Sequence, residues 1–313
     1  YGRRDNKYKA RIKILVKALT PEVFAEKVAA EWAHTKDGPA TLTQQELDRV
    51  AGHFSAPAYE QFSGDDAGYL AKREAEKGFN NWAMRNVQAH KVPGYAAVTL
   101  SLKPTAVAPG DADDKQLEAI ADLADQFSFG ELRVTHQQNL VLADVRQSDL
   151  YDLWQACRKH GFATPNIGLL TDIICCPGGD FCALANAKSI PIAEAIQRTF
   201  DDLDYLHDIG DLDLNISGCM NACGHHHVGH IGVLGVDKKG QEFYQVSIGG
   251  NSGRDASIGQ ILGPSFSAED MPSVMTKVID VYIENRTPEE QFLDTFKRIG
   301  MAPFKERVYA ATN

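Results

Sequence analysis

A chain of 313 residues, 43% of them hydrophobic, has enough apolar material for one large core or two smaller ones. Its formal net charge of −10 argues against nucleic acid as a bulk electrostatic partner. No apolar run reaches the roughly 18 residues that would suggest a membrane helix, and no charged-then-apolar leader opens the chain. The expectation is a cytoplasmic protein with neither membrane nor nucleic-acid partners.

The opening YGRRDNKYKARIKILV reads as the interior of a helix. Ile12, Leu15, Val16 and Leu19 share one apolar stripe, with Arg11, Lys13 and Lys17 off it. A helix at the very start predicts a fragment whose earlier half is missing. Arg3, Arg4, Lys7, Lys9, Arg11 and Lys13 crowd the same stretch. A solvated helix face is the plain reading, and a docking patch for an acidic electron donor the sharper one. Pro21 at the first turn of PEVFAEKVAAEW and Thr43 as cap of TQQELDRVAGHF continue the pattern, giving a helical linker over residues 1–81.

Residues 82–160 alternate strand-like AAVTLSLK, a helix over Lys115–Phe127, strand-like ELRVTH and NLVLADV, and a helix over Ser148–His160. That β-α-β-β-α order is α+β and resembles half of a split βαβ sandwich. Residues 161–313 hold a helix from Pro191 to about Leu203, the strand LDLNIS, and a hairpin of HIGVLGVD and EFYQVSIGG about the turn KKGQ. The loop GGNSGRDASIG follows. The tail carries Met275, Val278, Ile279 and Tyr282 at helical spacing, then a helix from Pro288 to Ile299.

Two cysteine clips carry the chemistry: Cys176 and Cys182 in CCPGGDFC, and Cys219 and Cys223 in GCMNAC. Thiols so grouped in a cytoplasmic chain point to metal rather than disulfides. Structural zinc keeps short, strict knuckles, whereas five intervening residues in the first clip and three in the second suit a bulkier [4Fe–4S] cube. Gly218 and Gly224 flank the second clip, where they would let backbone approach a cluster, and Asn221 offers an amide. Cys157 and Cys175 read as small buried apolar residues. His225, His226, His227 and His230 read as pocket walls rather than ligands, because consecutive histidines cannot all face one ion. The loop from Gly249 to Arg254 could form an anion-binding nest or a plain turn, and it carries no nucleotide fingerprint.

In order, CPGGDFCALANAKS, NISGCMNACGHHHVGHIGVLG and the GG-x-x-G loop resemble the sirohaem and iron–sulfur signature of the sulfite and nitrite reductases. NVQAHKVPGYAAVTLSLK and ELRVTHQQNLVL look like that family's second ferredoxin-like half-domain, and the opening resembles the segment joining the halves of the bacterial assimilatory sulfite reductase haemoprotein. The resemblance implies an α+β fold: a helical linker segment, a ferredoxin-like half-domain, then an α/β sirohaem and iron–sulfur domain. It implies that Cys176, Cys182, Cys219 and Cys223 hold a [4Fe–4S] cluster, and that Cys223 also bridges to sirohaem iron. Arg133, Thr135, Gln138 and Asn139 match an R-x-T-x-x-Q-N pattern expected to reach the macrocycle or its carboxylates, with Asn221 close by.

The implied activity is six-electron reduction of sulfite to sulfide, or of nitrite to ammonia, fed by a ferredoxin or a flavoprotein subunit and acting on a small oxyanion. The family's substrate-gripping lysine pair and distal arginines have no counterpart here, so the catalytic residues are expected in the missing half. A cluster-bearing electron-transfer module without haem, and a zinc-stabilised structural domain, are the alternatives from other classes.

Overall fold

The computed structural model describes residues 5, 6 and 9–310; Arg3, Arg4 and Lys7 of the basic stretch lie outside them. The chain divides into two compact units, residues 1–58 and 59–313.

The first unit is helical: α1 (Ile12–Leu19), α2 (Pro21–Thr35) and α3 (Gln44–Ala51). Pro21 opens α2, and the Thr43 hydroxyl caps α3 by accepting the Glu46 N–H at 3.2 Å. None of these helices contains a buried residue, and Trp32 and Phe54 stand 63% and 81% exposed.

The second unit begins earlier than the expected half-domain. Residues 59–81, expected as linker, belong to it. The Tyr59 hydroxyl donates to Asp144 at 2.6 Å, and Tyr69 and Phe79 enter the core with Trp82. Here α4 (Ala67–Ala75) and α5 (Lys77–Asn86) precede a four-stranded sheet of β1 (Val87–Ala89), β2 (Tyr95–Leu100), β3 (Leu132–Val134) and β4 (Leu140–Arg146). The sheet order is β1-β2-β4-β3, antiparallel throughout. β1 was not expected, since three residues with a half-exposed to exposed pattern leave no alternation to read. Helices α6 (Asp114–Phe127) and α7 (Leu150–His160) supply the rest of this core. Asp113 starts α6 with a capping box on Gln116, and each large apolar side chain such as Leu123 or Phe127 contributes roughly 1.5–3 kcal/mol when fully buried.

A five-stranded sheet in the order β5-β6-β7-β8-β9 forms the second core: β5 (Ile174–Cys175), β6 (Leu214–Ser217), β7 (Ile231–Lys238), β8 (Gln241–Ile248) and β9 (Gln260–Ile261). β5, β6 and β7 are parallel, and the rest antiparallel. The β7–β8 hairpin turns on Lys239 and Gly240, both at positive φ, as a two-residue hairpin requires. The single helix expected from Pro191 to Leu203 is two, α9 (Ile190–Thr199) and α10 (Leu203–Ile209), because Asp202 caps a new start by accepting the Asp204 and Tyr205 N–H groups. Between β5 and α9 lies one turn, α8 (Gly178–Phe181). After α11 (Met271–Asn285), which buries Met275, Val278, Ile279 and Tyr282, come α12 (Phe292–Ile299) and an unforeseen α13 (Ala302–Tyr309). Among the described residues, no helix is long and apolar enough to cross a membrane.

Candidate functional site

Parallel pairing sets Ile174 opposite Asn215 and Cys175 opposite Ile216, so β5 and β6 finish side by side. Each releases a cysteine clip at its carboxyl end, where parallel strands of α/β sheets commonly bind ligands. Cys176 follows β5 and donates its N–H to the Ile216 carbonyl at 3.1 Å. Cys182 closes α8, its N–H on the Gly178 carbonyl at 2.9 Å. Cys219 follows β6 and is buried, whereas Cys223 is exposed. Between them Asn221 is half-buried.

The clips touch. The Gly218 N–H points at Cys176 Sγ, 3.1 Å away, and the Gly218 carbonyl accepts the Asn186 and Ala187 N–H groups at 2.8 and 3.1 Å. Ser189 Oγ lies 3.5 Å from the same sulfur. A Cβ on Gly218 would sit 2.7 Å from the Ala187 oxygen and 2.9 Å from Gly178 Cα; one on Gly224 would sit 2.0 Å from the Ile216 oxygen. These glycines admit neighbouring protein backbone.

All six cysteines are free thiols. Among the described residues, no three His, Cys, Asp or Glu side chains converge as ligands of one ion would. Four thiols held on two abutting clips, with a backbone N–H on one sulfur, fit the donor set of a cube whose cysteines bind separate irons. Cys157 and Cys175 are buried, as expected, and burial pushes the Cys157 thiol up to about 12 and the Cys175 thiol up as well. Both are protonated near neutrality.

The R-x-T-x-x-Q-N run sits on the first sheet, in β3 and the turn to β4. Arg133 is exposed and its guanidinium pairs with Glu131, Nε at 2.6 Å. The Thr135 hydroxyl donates to the Asn139 carbonyl at 3.0 Å and accepts the Asn139 N–H at 3.1 Å. Gln138 and Asn139 differ from expectation. The Gln138 carboxamide pairs with the Cys175 backbone, and the buried Asn139 side chain donates to Asp172 at 2.9 Å while accepting the Leu102 N–H at 3.1 Å. Both amides are engaged with protein partners: the half-buried Gln138 with backbone alone, and the buried Asn139 with backbone and a carboxylate, as burial requires.

Lys103 and Asp172 were not foreseen. The Lys103 side chain is fully buried, its ammonium 2.7 Å from Asp172 Oδ1 and bonded to the Gln137 carbonyl. Burial pushes its pKa down against the opposing pull of Asp172. A lysine ending an apolar run before Pro104 gives no hint of burial in the sequence. The histidines are structural in part: His230 Nδ1 accepts the Asp213 N–H at 3.1 Å, and the His227 carbonyl accepts the Gly259 N–H at 2.8 Å. In the loop after β8, Asn251 and Ser257 exchange backbone hydrogen bonds and Asn251 Oδ1 accepts the Gly253 N–H at 2.9 Å, so the plain turn describes it better than an open nest.

Residues 88–160 match the family described as "Nitrite/Sulfite reductase ferredoxin-like half domain", and residues 169–313 match "Nitrite and sulphite reductase 4Fe-4S domain". "Sulfite reductase [ferredoxin] 1" of Mycolicibacterium paratuberculosis is 25% identical over 93% of this chain and 47% of its own length. "Assimilatory ferredoxin-dependent nitrite reductase" of Haloferax mediterranei is 27% identical over 55% of this chain and 30% of its own. The structure of the Mycobacterium tuberculosis NirA protein superposes with a TM-score of 0.62 at 23% identity, covering 97% of this chain and 50% of that one. The chain thus spans less than half the length of these two curated relatives. Its half-domain, its paired clips and both family matches make it a member of the sulfite and nitrite reductases, oxidoreductases that carry sirohaem and a [4Fe–4S] cluster.

Proposed function

We propose that this chain is the cofactor-holding portion of a reductase that takes sulfite to sulfide in six electrons. The observation that carries the reading is the abutment of the two clips, with the Gly218 N–H on Cys176 Sγ at 3.1 Å. When bound, the cluster and sirohaem supply electron storage and the metal that binds substrate. Cys176, Cys182, Cys219 and Cys223 hold the cluster. Cys223, the exposed thiol of the four, would be the one placed to serve sirohaem as well as the cluster. Arg133 on the first sheet, and Asn221 between the second pair of cysteines, serve the macrocycle's carboxylates as charged and neutral donors, while Thr135, whose hydroxyl is bonded to Asn139, shapes the turn beside them. Gln138 and Asn139 serve it indirectly, by fixing the backbone that carries Cys176.

A ferredoxin is the proposed electron donor, in keeping with the names of both relatives. The residues that grip the oxyanion lie outside this chain. Nitrite is the second reading, favoured by the nitrite reductase at 27% identity. The test is anaerobic purification of the full-length protein, assay of iron, acid-labile sulfide and extractable tetrapyrrole, and turnover of sulfite against nitrite. Sulfide without tetrapyrrole sinks the sirohaem reading, and faster turnover of nitrite reverses the substrate assignment.

A further inference from the structure

β5 is the outermost strand of its sheet and only two residues long. Its inner side bonds to β6, and Cys176 continues that pairing. The outward N–H and C=O of Cys175 meet no strand. They meet a side chain: Gln138 Oε1 accepts the Cys175 N–H at 2.7 Å, and Gln138 Nε2 donates to the Cys175 carbonyl at 2.8 Å. A carboxamide offers a donor and an acceptor side by side, as a peptide group does.

We propose that Gln138 is a positioning residue for the cluster, acting through Cys175 to hold Cys176. This rests on the reading of Cys176 as a cluster ligand. The turn that carries Gln138 is pinned on both sides of it. Gln137 gives its carbonyl to the buried Lys103 ammonium, and Asn139 is bonded to Asp172 and Leu102. Asp172 in turn accepts the Gly168 N–H at 3.0 Å. Gln138 itself stands at φ 59, a left-handed backbone that residues with a Cβ rarely adopt, so the surroundings hold it there against its preference. Gly110 lies against it, and a Cβ there would come within 2.8 Å of Gln138 Cβ. The first sheet thus reaches across to brace the strand end one residue from the sulfur that the Gly218 N–H faces. Polar groups that orient a metal's ligands typically affect metal affinity by 10–100-fold.

The test compares Gln138→Met and Gln138→Glu in the full chain. Met keeps the unbranched length but neither hydrogen bond; Glu keeps only the acceptor. Amide hydrogen exchange at Cys175 is read in the unloaded chain, and cluster lifetime against a chelator and the spin-resonance signature of the reduced cluster in the loaded one. For Gln138→Met the expected results are faster exchange at Cys175, cluster loss about tenfold faster, and an altered spectrum, with Gln138→Glu between it and wild type. Unchanged exchange and lifetime in Gln138→Met overturn the proposal. So does loss of tetrapyrrole alone with the cluster intact, which would make Gln138 a direct contact. If Gln138→Met does not fold, Gln138→Glu decides: a wild-type cluster lifetime overturns the proposal. A wild-type chain that takes up no cluster sinks the reading beneath it, while exchange at Cys175 still reports whether the brace exists.

Discussion

Replacing Gly218 by alanine adds one carbon where two backbone segments meet. Gly218 has an ordinary backbone conformation, so the cost is contact alone. The new Cβ would stand 2.7 Å from the Ala187 oxygen and 2.9 Å from both Gly178 Cα and Ser189 Oγ, where ordinary contact begins at 3.4 Å. Two of those atoms are backbone, so the clips must part by about 0.5–0.7 Å, which stretches the 3.1 Å contact between the Gly218 N–H and Cys176 Sγ to about 3.7 Å. Overpacking costs about 1–3 kcal/mol, and weakening that hydrogen bond forfeits part of the about 1 kcal/mol such a bond contributes. A total of about 3 kcal/mol lowers the melting temperature of a unit this size by about 6–12 °C. Circular dichroism of the unloaded chain reads the first effect; iron and sulfide content read the second, a loss of cluster. Gly64→Ala is the control, since nothing stands within 4 Å of its Cβ. A Gly218→Ala protein that melts and loads like wild type would refute the abutment of the clips.

Lys103→Met leaves the Asp172 carboxylate buried without its cation, and breaking such a pair costs about 3–5 kcal/mol, part of which Lys103→Met/Asp172→Asn should recover; urea unfolding measures both, and an unchanged midpoint in the single variant contradicts the pair. Cys223→Ser should lose both coupled centres from the optical spectrum. Cys157→Ser, which buries a hydroxyl in the first core, should leave that spectrum intact and cost about 1–3 kcal/mol in thermal unfolding. Glu290, held at about 2 against an ordinary 4.5 by its hydrogen bonds to Arg298 and to the Thr287 N–H, contributes stability that is present above pH 4.5 and lost as pH falls toward 2. Melting profiles across that window should therefore fall less steeply for Glu290→Gln than for wild type, and parallel profiles would discount the pair.

What the sequence made legible was whatever local chemistry decides. Thr43 and Pro21 start helices by capping or fixed φ, and KKGQ turns a hairpin through Lys239 and Gly240. The clips were legible because thiol spacing is rare and specific. Long-range partners were not. Nothing near Gln138 announces that its amide completes a strand edge, since Cys175 is distant in the chain and the bond exists only after both sheets form. Gly218 and Gly224 were recognised as close approaches, but the sequence could not say that Gly218 meets the other clip and Gly224 the Ile216 carbonyl of the strand before it. Lys103 was hidden for the same reason, because a buried ammonium depends on Asp172 arriving opposite it.

Gly218 and Cys176 are 42 positions apart in the chain, yet they touch. Any inorganic core gripping both clips would therefore work as a staple across a long excursion containing α8, α9 and α10. Closing a loop of that length removes conformational freedom chiefly from the unfolded chain. Oxidative damage to the core would then loosen more than its ligands: the excursion would be left to the β5–β6 pairing and the contact of the clips alone, and protease cuts within it would be the earliest sign.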